Sequence, residues 1–191
     1  MIVSISGNQG SGKSTIAQML AEKLGWPRYY MGGLRREAAK KRGLTLAEYN
    51  KLGESDPTTD LEVDKYQEEL GKTQDNFVIE GRTSWYFIPN SFKIFIYVTE
   101  EVGARRIFDQ LQAKSSEMRN NEDKFGTYEE VLASVRQRRE SDDKRYQQYF
   151  GINVYDMSNY DFCLDTTNLT KKEVFDRVLL AVRQNIDKGK K

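Results

Sequence analysis

The stretch GNQGSGKST, Gly7 to Thr15, fits the spacing G-x-x-x-x-G-K-S. Before it stand Ile2, Val3 and Ile5, a β-branched run suited to a buried strand. After it a helical pattern puts Ile16, Met19, Leu20 and Leu24 on one face. Strand, glycine-rich loop and helix in that order separate a phosphate-binding loop from an ordinary glycine-rich turn. Glycines at 7, 10 and 12 let successive N–H groups turn inward around a di- or triphosphate, and the following helix points its positive end at the same anion. Gly7, Asn8, Gln9, Gly10, Ser11, Gly12, Lys13, Ser14 and Thr15 are therefore expected to cradle nucleotide phosphates. Lys13 would reach the β- and γ-phosphates, and the Ser14 hydroxyl would hold Mg²⁺.

A chain of 191 residues is expected to form one domain with a sizeable core. Thirty Lys and Arg against 29 Asp and Glu leave a net charge of +1, so no global field favours nucleic acid or a membrane surface, and a small-molecule partner is expected. No apolar run is long enough to span a bilayer and no leader is evident. A single cysteine, Cys163, rules out an internal disulfide and is expected in the core; a monomer in a reducing cytoplasm fits this composition. Histidine is absent. Catalysis must then run on carboxylates, Lys, Arg and a metal, which phosphoryl transfer tolerates because it depends on positioning and charge neutralisation.

Along the chain, Gly25 should end the first helix, and Arg28 to Met31 reads as a second strand. Arg35 and Arg36 open a helix just beyond it, where open α/β sheets bind ligands, and at least one should meet a phosphate. Capping-box patterns at Thr45–Glu48, Thr127–Glu130 and Thr170–Glu173 and an Asp56-Pro57 start mark further helices. Asp60, Asp64 and Gln67 recur at helical spacing, so they either read the edge of a base or form an exposed acidic face. Phe77 to Glu80 is a strand ending in a carboxylate placed to order Mg²⁺ or its waters, and Gly81-Arg82 follows to grip an anion. Trp85, Tyr86 and Phe87 should pack under the inserted helices. Lys93 to Val98 is a fourth strand. Residues 112–126 lack a hydrophobic period and read as a lid. In the long helix that follows, Arg138, Asp142 and Arg145 share one face, two guanidiniums with a carboxylate to hold them. Phe162 to Leu164 is the fifth strand, and a final helix buries Val174, Val178, Leu179, Val182 and Ile186.

This order predicts an α/β, three-layer fold around a five-stranded parallel sheet. The expected division is a core of 1–32, 76–112 and 127–186, an acceptor-binding insertion of 33–75, a lid of 113–126 and a basic tail of 187–191. At this point the chain resembles the P-loop nucleoside monophosphate kinases, and most closely the cytidylate kinases in their short archaeal-type form. The motifs are GNQGSGKST, GGLRREAAK from Gly32, VIEGRTSWYF from Val78, RRESDDKRY from Arg138 and DTTNLTKKEV from Asp165. The resemblance implies transfer of the γ-phosphoryl group of ATP to CMP or dCMP with Mg²⁺. It also implies that Lys13, Arg36, Arg82, Arg138 and Arg145 form the catalytic set. Arg36, Asp64, Gln67, Gly81, Arg82, Arg138 and Asp142 would bind the acceptor, and Ser14 and Glu80 the metal. Two positions depart from related kinases, Gly33 and Thr83, each standing where an aspartate is often found. Alternatives are a kinase for another monophosphate or a small alcohol and, more remotely, a nucleotide-dependent switch ATPase.

Overall fold

Five strands, β1 (Ile2–Gly7), β2 (Arg28–Tyr30), β3 (Phe77–Glu80), β4 (Phe92–Tyr97) and β5 (Phe162–Asp165), form one all-parallel sheet in the order β2-β3-β1-β4-β5. The computed structural model describes residues 1–113 and 125–188. The expected lid therefore falls, from 114 to 124, outside the described residues, as do the last three residues of the basic tail. Eight α-helices are described: α1 (Lys13–Leu24), α2 (Met31–Lys41), α3 (Leu46–Gly53), α4 (Thr58–Thr73), α5 (Ser84–Phe87), α6 (Glu100–Gln112), α7 (Tyr128–Phe150) and α8 (Lys171–Lys188).

Side chains alternate across the strands, and each set finds its own helix layer. Val3, Ile5, Val78, Ile94, Ile96 and Leu164 meet Ile16 and Leu20 of α1 and the Val174, Val178, Val182 stripe of α8. On the opposite face Ile2, Phe77 and Ile79 meet Met31 of α2, Leu70 of α4 and Ile88. Strands buried on both faces explain the near-continuous apolar runs of β1 and β3. Helices α6 and α7 pack on each other through Ala104, Ile107, Val131 and Val135.

The helix boundaries follow local chemistry. Capping boxes close at Thr45–Glu48 and Thr127–Glu130, and Thr170 and Glu173 exchange the same pair of bonds before α8. Gly25 ends α1 with φ 68°. The Asp56-Pro57 start is carried by a side-chain cap: Asp56 Oδ1 accepts from the Thr58 N–H at 3.0 Å and its hydroxyl at 2.6 Å, Pro57 is already helical, and α4 runs on from Thr58.

One packing expectation fails. Cys163 is exposed. Its neighbours Phe162 and Leu164 pack toward α1 and α8, so alternation turns the thiol to the other side of an edge strand, where it lies 3.5 Å from the Met157 carbonyl. Helix α5 packs on the inserted helix α4, as expected, Ser84 Oγ donating to Gln67 Oε1 at 2.6 Å. Trp85 packs on Phe95 and Tyr160, and Tyr86 and Phe87 pack on Phe150 at the end of α7.

The parallel sheet brings the loops after all five strands to one end. There the phosphate loop presses against α6: Gly10 has φ 73°, and a Cβ on it would lie 2.2 Å from the Gly103 carbonyl oxygen. Gly10→Ala should destabilise the fold by about 2 kcal/mol or more, combining left-handed strain with that clash. Urea denaturation measures it; a change below about 0.5 kcal/mol would show that the loop yields instead.

Candidate active site

A cleft of about 430 Å³ opens at the carboxyl ends of the strands. From the loop it takes Gln9, Gly10, Gly12, Lys13, Ser14 and Thr15; Gly7, Asn8 and Ser11 do not line it. Lys13 Nζ lies 3.4 Å from the Asn8 carbonyl, so its ammonium already sits over the loop backbone. The opposite walls carry Arg36, Asp64, Gln67, Glu80, Gly81, Arg82 and Arg138. Asp142 and Arg145 lie behind the wall, and Arg145 is completely buried.

A chain of buried ion pairs joins cleft-lining Arg35, Asp60 and Arg82 through Arg145 and Asp142 behind them. Arg35 of α2 pairs with Asp60 of α4, and its Nε donates to Asn50 Oδ1 at 2.8 Å. Arg145 of α7 reaches the other Asp60 oxygen at 2.6 Å and Asp142 Oδ1 at 2.8 Å. Asp142 Oδ2 holds Arg82 Nε at 2.9 Å and accepts from Tyr155 at 3.1 Å, while Gln9 of the phosphate loop donates to the Tyr155 oxygen at 3.4 Å. Burial alone would raise the Asp142 carboxyl, but Arg82, Arg145 and Arg138 override it and hold it below the ordinary range. Burial likewise opposes the charge on Arg82, and Asp142 reverses the balance, so that guanidinium stays firmly charged.

The acidic end of β3 bears on metal binding. Glu80 is buried, and its Oε1 accepts from Arg28 of the neighbouring strand β2. Its Oε2 has no hydrogen-bond partner among the described residues. Among those residues no group of three or more His, Cys, Asp and Glu could hold a metal unaided. One unsatisfied carboxylate oxygen and the Ser14 hydroxyl in a phosphate-binding cleft suit Mg²⁺, which keeps several waters and takes the rest of its shell from substrate phosphates.

The α4 face is inward rather than solvated. Asp60 and Gln67 are buried. The Gln67 amide donates to Thr83 Oγ1 at 3.2 Å and accepts from Ser84 Oγ at 2.6 Å, which fixes its orientation. Thr83 thus takes part as an anchor for Gln67. The Asp64 carboxyl is pushed up from 3.8 to about 7, first by burial and then by the charge of Asp60, against the pull of Arg35 and Arg145.

A second, smaller cleft of about 200 Å³ shares Gly12, Thr15 and Arg106 with the first and continues to Leu169, Lys171 and Val174. Arg106 is held at 2.7 Å by the Thr166 carbonyl and at 3.2 Å by its hydroxyl. Arg105 turns away and stacks over Tyr128, 4.0 Å from its centroid.

The sequence does not mark Arg28 or Tyr155, and it offers Arg35 to a phosphate and Asp60 to a base, whereas the two pair with each other. Arg28 and Glu80 meet only through strand pairing, and Tyr155 follows α7 without a motif. The spacing of Asp60 with Asp64 and Gln67 was a usable signal for the first of these faces.

The family described as cytidylate kinase-like matches residues 2–168. A cytidylate kinase of Methanococcoides burtonii is 32% identical over 182 residues, covering 95% of this chain and 97% of that one. Another, of Natronomonas pharaonis, is 36% identical over 172 residues, covering 89% and 83%. Among solved structures, a shikimate kinase from Bacteroides thetaiotaomicron superposes with TM-score 0.62 at 14% identity over 98% of both chains, a likeness of fold.

Two outcomes follow from these charges. Asp60→Asn leaves Arg35 and Arg145 side by side with less compensation and should cost about 3 kcal/mol of stability by urea denaturation; a loss under about 1 kcal/mol would show that water relieves the pair. For Asp64 the native state holds its proton more tightly than the unfolded chain, so stability falls as pH rises from about 4 to about 7. Asp64→Asn should therefore stabilise the protein by about 2–4 kcal/mol at pH 8 and by almost nothing at pH 4, and a gain equal at both would contradict the raised carboxyl.

Proposed function

Because this chain belongs to the cytidylate kinase-like family, we infer that it transfers the γ-phosphoryl group of ATP to CMP or dCMP, giving ADP and CDP or dCDP. The observation that carries this reading is one cleft that gathers the cations Lys13, Arg36, Arg82 and Arg138 together with the polar Asp64 and Gln67 of α4.

The acceptor phosphate lies against Arg36, Arg82 and Arg138. Its base lies against α4, where Asp64 accepts from an exocyclic amine when ionised, or donates to a ring nitrogen when protonated. The donor's phosphates lie over the loop from Gly7 to Thr15, and its nucleoside extends into the smaller cleft along Arg106 and Leu169. Ser14 and Glu80 hold Mg²⁺, which neutralises charge on the donor phosphates when bound.

Transfer is in line and direct. Two anionic nucleotides repel as they approach, so Lys13 and the arginines offset that charge while the cleft holds acceptor oxygen and γ-phosphorus in attack geometry. No histidine is needed, because the acceptor is itself an ionised phosphate. Asp142 and Arg145 act from behind the wall, holding Arg82 in place. Glu80 and Arg82 flank Gly81, where a Cβ would lie 2.4 Å from Ser84 Oγ, so metal ligand and phosphate ligand leave the end of the same strand.

A coupled ADP-release assay with MgATP and CMP, dCMP, UMP, AMP or no acceptor tests the reading. We expect turnover on CMP or dCMP at least tenfold above the others, falling by about a hundredfold or more in Lys13→Ala and Arg138→Ala. Equal turnover on AMP and CMP, or hydrolysis without any acceptor, would overturn it.

A further inference from the structure

Tyr30 closes strand β2 and lines the cleft beside Gly32, Arg36 and Glu80, yet no motif marks it. Its hydroxyl accepts a hydrogen bond from Arg36 Nη1, and the same Nη1 donates to the Gly32 carbonyl at 3.2 Å. The ring carries a second load. Arg36 Cζ lies 5.8 Å from its centroid and Arg28 Cζ 5.3 Å, so it sits between two guanidiniums, of which Arg28 pairs with Glu80.

The glycine pair at the start of α2 is explained by this ring. A Cβ on Gly32 would lie 2.7 Å from Tyr30 Cε2 and 3.3 Å from Arg36 Nη1, and one on Gly33 would lie 2.8 Å from Cδ1. Both positions are helical, and neither glycine has a positive φ. Backbone conformation therefore does not require glycine at either position; the space taken by the ring does. A first turn without side chains lets the phenol lie flat on the helix, with its oxygen beside the Arg36 guanidinium.

We propose that Tyr30 is the positioning residue for Arg36, its hydroxyl and ring fixing the guanidinium toward the acceptor phosphate, and that Gly32 and Gly33 are glycine to admit that ring. The inference rests on the acceptor role given above to Arg36. A guanidinium on a long side chain loses rotamer freedom when it grips an anion. Holding it before the anion arrives removes that cost from binding, so Tyr30 acts on acceptor affinity and not on the donor.

The test is Tyr30→Phe, which keeps the ring and removes one oxygen, beside Gly33→Ala, which keeps the phenol and displaces it. Both should raise KM for CMP about tenfold while kcat and KM for ATP stay within about twofold. In an Arg36→Lys background Tyr30→Phe should add less than about a twofold change. A second readout needs no nucleotide. In ¹⁵N spectra of the unliganded protein, assigned with Arg36→Lys, the Arg36 Nη groups should give separate signals that merge in Tyr30→Phe as rotation is released. An unchanged KM for CMP with unchanged Nη signals, or an equal rise in KM for CMP and ATP, would overturn the proposal. A wild-type protein inactive on CMP would instead sink the substrate reading, and the Arg36 signals would then decide the positioning alone.

Discussion

The buried run of alternating charges, Arg35 to Asp60 to Arg145 to Asp142 to Arg82, ties together α2, α4, α7 and the turn after β3. Such lattices are expensive to bury and stable only when every charge is met. This one is not neutral: three guanidiniums face two carboxylates, with Arg36 and Arg138 close by on the cleft. The surplus positive charge lies next to a cavity of nucleotide size. An anionic acceptor would complete the balance, and the architecture that holds the helices in place also prepares a phosphate site.

A parallel sheet makes this economy of parts possible. Register places Ile5 beside Glu80 and Tyr30 beside Glu80, so the ends of β1, β2 and β3 deliver the phosphate loop, the α2 arginines and the Glu80–Arg82 turn to one place. Gln9 and Tyr155 then connect the loop to Asp142 through hydrogen bonds, linking it to the buried ion pairs of the opposite wall. The smaller cleft along Arg106 shares Gly12 and Thr15 of the loop with the larger one and continues toward Leu169 and Val174, away from the residues of α4.

The phosphate loop, the five strands and the capping boxes were legible in the sequence because each is specified by residues adjacent in the chain. So was the Asp60, Asp64, Gln67 face, though its burial was not. Side-chain direction across elements was less legible. Arg138, Asp142 and Arg145 share a helix face, yet only Arg138 lines the cleft, because Asp60 on a distant helix draws Arg145 inward. Cys163 illustrates the same limit: an apolar run marks a strand without saying which alternate side chains an edge strand leaves uncovered. Tyr30, Arg28 and Tyr155 could be found only once strand pairing and loop packing were in view.

The most direct test of the account is a crystal structure of the protein with CMP and ADP bound together. In it the CMP phosphate should lie on Arg36, Arg82 and Arg138 and the cytosine against Asp64 and Gln67, with ADP phosphates over Gly7 to Thr15 and its base along Arg106. CMP seated elsewhere, or a cytosine that touches neither Asp64 nor Gln67, would contradict it.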